Sequence, residues 1–198
     1  MCACIVAFIS VLQGQGSRTS DARGCASRTP EPPTLAPDSI GYLRLDEELG
    51  KLRERCSTAR DTTVRPQGNA GIAYPGLVFQ FDSLTVFALQ YGESALNFGR
   101  PADGWMVSGT RATIQRKVPL SGSWSALHSA LGTAQANARG VLAVRFCSFP
   151  NAIITLNILP DAALTKGGLV DLSTIPPDAT IHHLFIMSRS LASHLQGC

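Results

Sequence analysis

Little of this 198-residue chain is charged or aromatic: 16% is Asp, Glu, Lys or Arg, and 7% is Phe, Trp or Tyr. Each shortage argues against a class of function. With 17 Lys and Arg against 14 Asp and Glu, there is no basic stripe to follow a phosphate backbone. The aromatics are not interleaved with cations as base-stacking platforms are, so nucleic acid is not an expected partner. Catalytic signatures are also missing: there is no Gly-x-Ser-x-Gly elbow, no His-Glu-x-x-His, no phosphate loop and no Gly-x-Gly-x-x-Gly after a strand. The chain reads as more binding protein than enzyme, with no cofactor. Cys25, Cys56, Cys147 and Cys198 contain no Cys-x-x-Cys pair, which argues against a zinc ribbon or a thioredoxin-type centre.

The apolar run Ile5 to Leu12 is too short to cross a bilayer but has the size of a signal-peptide core, although no Lys or Arg precedes it. Residues 1–16 are read as that leader, and the protein as exported to the periplasm or cell envelope. Residues 17–38 carry Pro30, Pro32, Pro33 and Pro37 with few apolar side chains, which predicts an extended tether that could hold the protein to a membrane. Cys25 fits a lipid-attachment cysteine poorly, because Arg23 stands where a small residue belongs. In an oxidising compartment Cys56, Cys147 and Cys198 are candidates for one structural disulfide, and Cys56 could equally serve as a small core hydrophobe.

Residues 39–198 read as one globular domain, long enough to bury a core without a metal. Its most informative feature is an offset. Leu49, Leu52 and Cys56 stand 75 positions before Trp124, Leu127 and Leu131, so the helical faces of two segments superpose, with Asp46 and Ser121 as their expected N-caps. Further on, Gly76 to Phe81 lies 65 positions before Val141 to Phe146. Alternation puts Leu77, Phe79 and Phe81 inward in one run and Leu142, Val144 and Phe146 inward in the other. The expectation is an α+β fold of two tandem strand-helix-hairpin repeats, 40–92 and 105–188, sharing an antiparallel sheet with helices packed on one face.

The outward positions of that sheet, around Gln80, Arg145, Thr155 and Asn157, form the expected binding face. In antiparallel sheets such a face can be left to solvent or to a partner. Trp105, among glycines between the repeats, is an expected rim anchor. His182 and His183, adjacent on a strand, should point to opposite faces and so not share a metal; no metal site is expected. His128 matches the exposed Arg53 position of the first helix.

The order of strand, capped helix and hairpin, with Leu127 to Gly132 as a helix ending in Leu-Gly, resembles periplasmic tandem-repeat proteins of the β-lactamase-inhibitor-protein and SmpA/OmlA outer-membrane lipoprotein type. That resemblance implies a non-enzymatic binding or assembly role outside the cytoplasm and transfers no functional residue. The alternatives are an exported hydrolase or small-ligand binder, with a pocket under the Leu159 to Ala179 loop, and an accessory subunit of a membrane complex.

Overall fold

A computed structural model describes residues 32–65, 72–81, 84–138, 142–158, 165–166, 169–188 and 192. The expected leader, most of the expected tether, Cys25 and Cys198 lie outside the described residues.

Three short strands open the fold: β1 (Thr34–Ala36), β2 (Ser39–Ile40) and β3 (Leu43–Arg44). Helix α1 (Leu49–Arg55) leads into β4 (Arg60–Val64), β5 (Tyr74–Phe81), β6 (Leu84–Leu89) and β7 (Gly104–Gly109). The second half follows with β8 (Thr113–Ile114), β9 (Val118–Pro119), α2 (Trp124–Leu131), β10 (Ala134–Ala138), β11 (Leu142–Phe146) and β12 (Phe149–Leu156). A two-residue hairpin, β13 (Thr165–Lys166) and β14 (Leu169–Val170), and a single 3-10 turn at Leu172–Thr174 precede β15 (Ile181–Met187).

The strands form an eight-stranded antiparallel sheet, ordered β10-β11-β12-β15-β7-β6-β5-β4, and a five-stranded sheet, β3-β2-β1-β8-β9, in which β1 and β8 run parallel. This overturns the expected α+β arrangement. The chain is mostly β, with two sheets and with helices of only seven and eight residues, rather than helices laid on one face of a shared sheet. The reason is visible at the helix starts. Ahead of α1, Leu45 N–H donates to Asp38 O at 3.0 Å and Glu47 N–H to Arg44 O at 3.3 Å, so the expected first turn at Asp46 belongs to the turn after β3. The residues at the caps are Glu48, whose side chain makes no cap hydrogen bond and pairs instead with Lys51 at 3.2 Å, and Ser123, whose Oγ accepts from Ala126 N–H. Residues 34–36, expected in the tether, instead form β1, which bonds to both β2 and β8.

The two halves of the large sheet are built alike. Each is a four-stranded meander, β4 to β7 and β10-β11-β12-β15, and the halves meet at the central antiparallel pair β7·β15. They also use the same cap. In α1 the amides of Leu49 and Gly50 donate to the carbonyls of Arg100 and Phe98 at 3.1 and 2.9 Å; in α2 those of Trp124 and Ser125 donate to Ala179 and Pro177 at 2.7 and 3.0 Å. In each half, the segment leading into the last strand satisfies the first free amides of its helix. The first of these segments is itself pinned by Gln90, wholly buried. Its Nε2 donates to Asn97 O at 2.9 Å and Pro101 O at 3.2 Å, and its Oε1 accepts from Asn97 N–H at 2.8 Å.

One core joins both sheets and both helices. From the large sheet, Leu77, Phe79, Val86, Trp105, Val107, Leu184 and Ile186 are at 0% exposure, and they meet Leu35, Ile40, Leu49, Leu52 and Leu127 from the other elements. Burying side chains of this size contributes roughly 1.5–3 kcal/mol each.

Candidate functional site

The strands that bury Phe79 and Trp105 turn their alternate residues the other way, and these define the candidate site. The register runs Arg60↔Val78↔Phe87↔Met106↔Phe185↔Ile153 across β4, β5, β6, β7, β15 and β12. Val78, Phe87, Met106, Phe185 and Ile153 are all partly exposed, and none belongs to the core cluster. They form an apolar ribbon across five adjacent strands on the outer face.

On one side of the ribbon lies a polar row. Gln80 pairs with Thr85 and Thr85 with Ser108; on the other half, His183 pairs with Thr155 and Thr155 with Ala143. On the other side, Gly76 pairs with Leu89, Leu89 with Gly104 and Gly104 with Met187. The missing side chain at Gly104 is filled by a neighbour: a Cβ there would stand 2.2 Å from Phe185 Cζ and 3.0 Å from the Tyr91 hydroxyl. Tyr91 sits 6.3 Å from Phe185 and makes an edge contact with Tyr74 at 4.5 Å, centroid to centroid. Burial, reinforced by Tyr74 and Asp103, raises the Tyr91 phenol well above its ordinary range.

Of the expected face residues, Gln80, Thr155 and Arg145 stand at outward positions on β5, β12 and β11, and Asn157 follows the end of β12. Gln80 and Asn157 are exposed; Thr155 and Arg145 are half-buried, and Arg145 Nη2 donates to Gln135 Oε1 at 3.3 Å. Trp105 is not among them. It is wholly buried and stacks on Phe79 at 5.9 Å, because β7 is a central strand and Trp105 takes a core-facing position on it; no partner can use it as a rim anchor. Sequence reading missed the ribbon itself because Phe87, Met106, Phe185 and Ile153 belong to four strands whose register no local pattern gives.

The histidine pair also departs from expectation. Thr155 pairs with His183 and Leu156 with Ile181, so His182 is the extra residue of a bulge. The bulge brings the two rings together, 3.9 Å between centroids. Thr155 Oγ1 takes over the local ladder, donating to His183 O and accepting from His183 N–H, both at 3.1 Å. Burial first, then the neighbouring His182, lowers the His183 pKa below the usual imidazole range. His183 Nδ1 is buried without a hydrogen-bond partner among the described residues. His128 is exposed and stacks on Trp124 at 5.1 Å.

Among the described residues, no group of three or more His, Cys, Asp or Glu is gathered as metal ligands. Cys56 is wholly buried, with Sγ 3.5 Å from the Tyr42 hydroxyl, and Cys147 is half-buried at the turn after β11; neither is a free thiol. Burial pushes the Tyr42 phenol up to about 12, against the opposing pull of Arg55.

A cleft of about 550 Å³ opens elsewhere, not under the Leu159 to Ala179 loop, between Asp38, Arg44 and Asp46 on one wall and Arg100, Asp103 and Ser188 on the other. Its arginines are engaged: Arg44 faces Asp38 at 3.5 Å, and Arg100 bonds Glu93 at 2.9 Å and also Asp103. No described helix is long and apolar enough to cross a membrane.

No family model and no curated protein matches the chain. Its fold is similar to the crystal structure of an uncharacterized protein, YfeY from Escherichia coli, at 10% identity and a TM-score of 0.50; the match covers 78% of this chain and 99% of that one. At that identity the likeness extends to the fold alone.

Proposed function

We propose that this protein is a non-enzymatic component of the cell envelope, exported from the cytoplasm, that works by holding another protein against the outer face of its eight-stranded sheet. The observation that carries the reading is the ribbon Val78, Phe87, Met106, Phe185 and Ile153: five apolar side chains in register, outside the core, beside a hydrogen-bonding row. An apolar centre with a polar border has the composition of a protein interface. Gln80, Thr155, Arg145 and Asn157 supply the polar contacts.

A photo-crosslinking side chain at Met106, expressed in the native host, tests the face. The expected result is a discrete adduct that disappears with Phe87→Glu and does not form from Ser129, exposed on α2. An adduct from Ser129 and none from Met106 would sink the proposal. Export is tested by intact mass: a chain that still starts at Met1, with every thiol free, would refute it.

A second reading, binding of a small ligand, has the charged cleft in its favour, since its volume suits one. Thermal-shift screening of small zwitterions and cations would support it if a hit is lost in Asp46→Asn, and dismiss it if no compound raises the melting temperature.

A further inference from the structure

The two ends of the large sheet are finished differently. At one end β10 lies against β14, part of the chain's own hairpin. At the other end β4 is the last strand, and its Arg60, Asp61 and Thr63 are exposed, as is Arg65 just after it. Pairing with β5 shows which backbone groups that edge presents. Thr63 stands opposite Pro75, which has no N–H and whose carbonyl accepts from Gln90 N–H, just after β6, at 3.0 Å. Pro75 therefore turns its bonding side to β6, and its pairing with Thr63 is one of the positions without ladder bonds. The amide and carbonyl of Thr63 point away from β5, to the open edge. Alternation gives Asp61 the same direction and makes Arg65 the next such position.

Open strand edges are where further strands add, and charged residues are a common means of preventing it. Here the charges are spaced so that they answer one another. We infer that the β4 edge joins two copies of this chain, antiparallel about a two-fold axis at Thr63, into one continuous sheet. In that register Thr63 faces Thr63 of the second copy, Asp61 faces the second copy's Arg65, and Arg65 faces its Asp61. All three positions are edge-directed, so each facing pair exchanges both backbone bonds, about six in all. Asp61 stands opposite Leu77 of β5, and Asp61, Thr63 and Arg65 share that face of the sheet. Carboxylate and guanidinium therefore meet side by side, and Thr–Thr and opposite-charge pairs are both favourable across strands. The 3.1 Å ion pair of Asp61 with Arg53 stays within one copy and leaves Asp61 exposed. Neighbouring registers fit less well. An axis at Asp61 sets two carboxylates face to face, and one at Thr62 sets Asp61 against Thr63 and leaves the charges unanswered. The contact is isologous and short, five residues spanning roughly 17 Å at about 3.4 Å each, so the dimer is a weak one that exchanges with monomer. It uses an edge of the sheet and leaves the outer face free.

Sedimentation equilibrium of the full chain, from about 1 µM to about 1 mM, tests this. The average mass should climb with concentration toward twice that of the monomer. Thr63→Pro removes the amide at the axis without touching the β5 ladder, and should hold the chain monomeric with its melting temperature kept. Asp61→Lys should weaken the dimer about tenfold, because the axis applies the change twice, and Arg65→Glu should do the same. Asp61→Lys combined with Arg65→Glu exchanges the charges and should restore the dimer. Met106→Glu, on the outer face, should leave it unchanged. The melting temperature of each variant checks that it is folded. A monomer at every concentration, a dimer that survives in a folded Thr63→Pro chain, no recovery on charge exchange, or a dimer lost in Met106→Glu would each overturn the inference. Because the Met106 adduct in the host is read separately, the edge can fail while the docking face stands.

Discussion

The two faces of the eight-stranded sheet are made by the same strands and the same alternation, and they differ in what covers them. On the inner face Phe79 and Trp105 stack 5.9 Å apart at 0% exposure, roofed by the small sheet and the helices. On the outer face, one residue along, Val78 and Met106 lie half-open. An inner side chain is surrounded, so its loss leaves a void. An outer one rests mainly on cross-strand neighbours, so its loss is felt by whatever docks there. Stability and recognition are thereby assigned to opposite sides of one backbone.

That contrast can be broken by substitution. Phe79→Ala should cost about 3–5 kcal/mol in denaturant unfolding, the usual range for emptying a buried aromatic site. A cost below that of an outer-face substitution would mean that the inner face is not the true core. Next in size is Gly76→Ala. A Cβ there would stand 2.5 Å from the Ala88 carbonyl oxygen and 2.9 Å from Leu89 Cδ2, and because backbone must move, we expect a loss of about 1–3 kcal/mol. Phe87→Ala, which removes only partly exposed cross-strand contacts, should cost about 1 kcal/mol or less while weakening the adduct formed from Met106; a larger loss of stability with an unchanged adduct would reverse the roles of the two faces.

The smallest effect is one of pH. Folding lowers the His183 pKa, so the native state binds its proton less readily than the unfolded chain does. Stability from this group is complete above the unfolded imidazole value, near 6.5, and declines as pH falls from there through the folded value. Melting temperatures measured on either side of that window should drop toward acid in the wild type and less so in His183→Gln. Parallel curves would remove His183 from the account.

Local pattern made half of this structure legible. Leu49, Leu52, Cys56, Trp124, Leu127 and Leu131, placed on helical faces by spacing alone, are all buried, as are Leu77, Phe79, Leu142, Val144 and Phe146 by alternation. What spacing could not give was where elements stop and what lies beside them. The helices begin at Leu49 and Trp124 because their first amides are taken by carbonyls about 50 residues away, at Arg100 and Ala179. Strand β7, short and set between glycines, looks like a connection in isolation and becomes central only through its pairing with β6 and β15. The candidate face has the same history. Gln80 and Thr155 follow from alternation, whereas the ribbon exists only as a register among distant strands, and the His182 bulge that unites two rings is invisible to a rule of strict alternation.

The paired helix caps have a topological consequence. Each half of the chain is tied head to tail by its own cap, α1 to the approach of β7 and α2 to the approach of β15, so each closes into a loop before meeting the other. Among the described residues two ladders, β7·β15 and β1·β8, stitch the loops together, and the chain passes from one loop to the other through the exposed stretch Gly109 to Arg111. A molecule sewn this way can be cut at that hinge and still be whole, its halves recognising each other by the same seam that the intact chain uses.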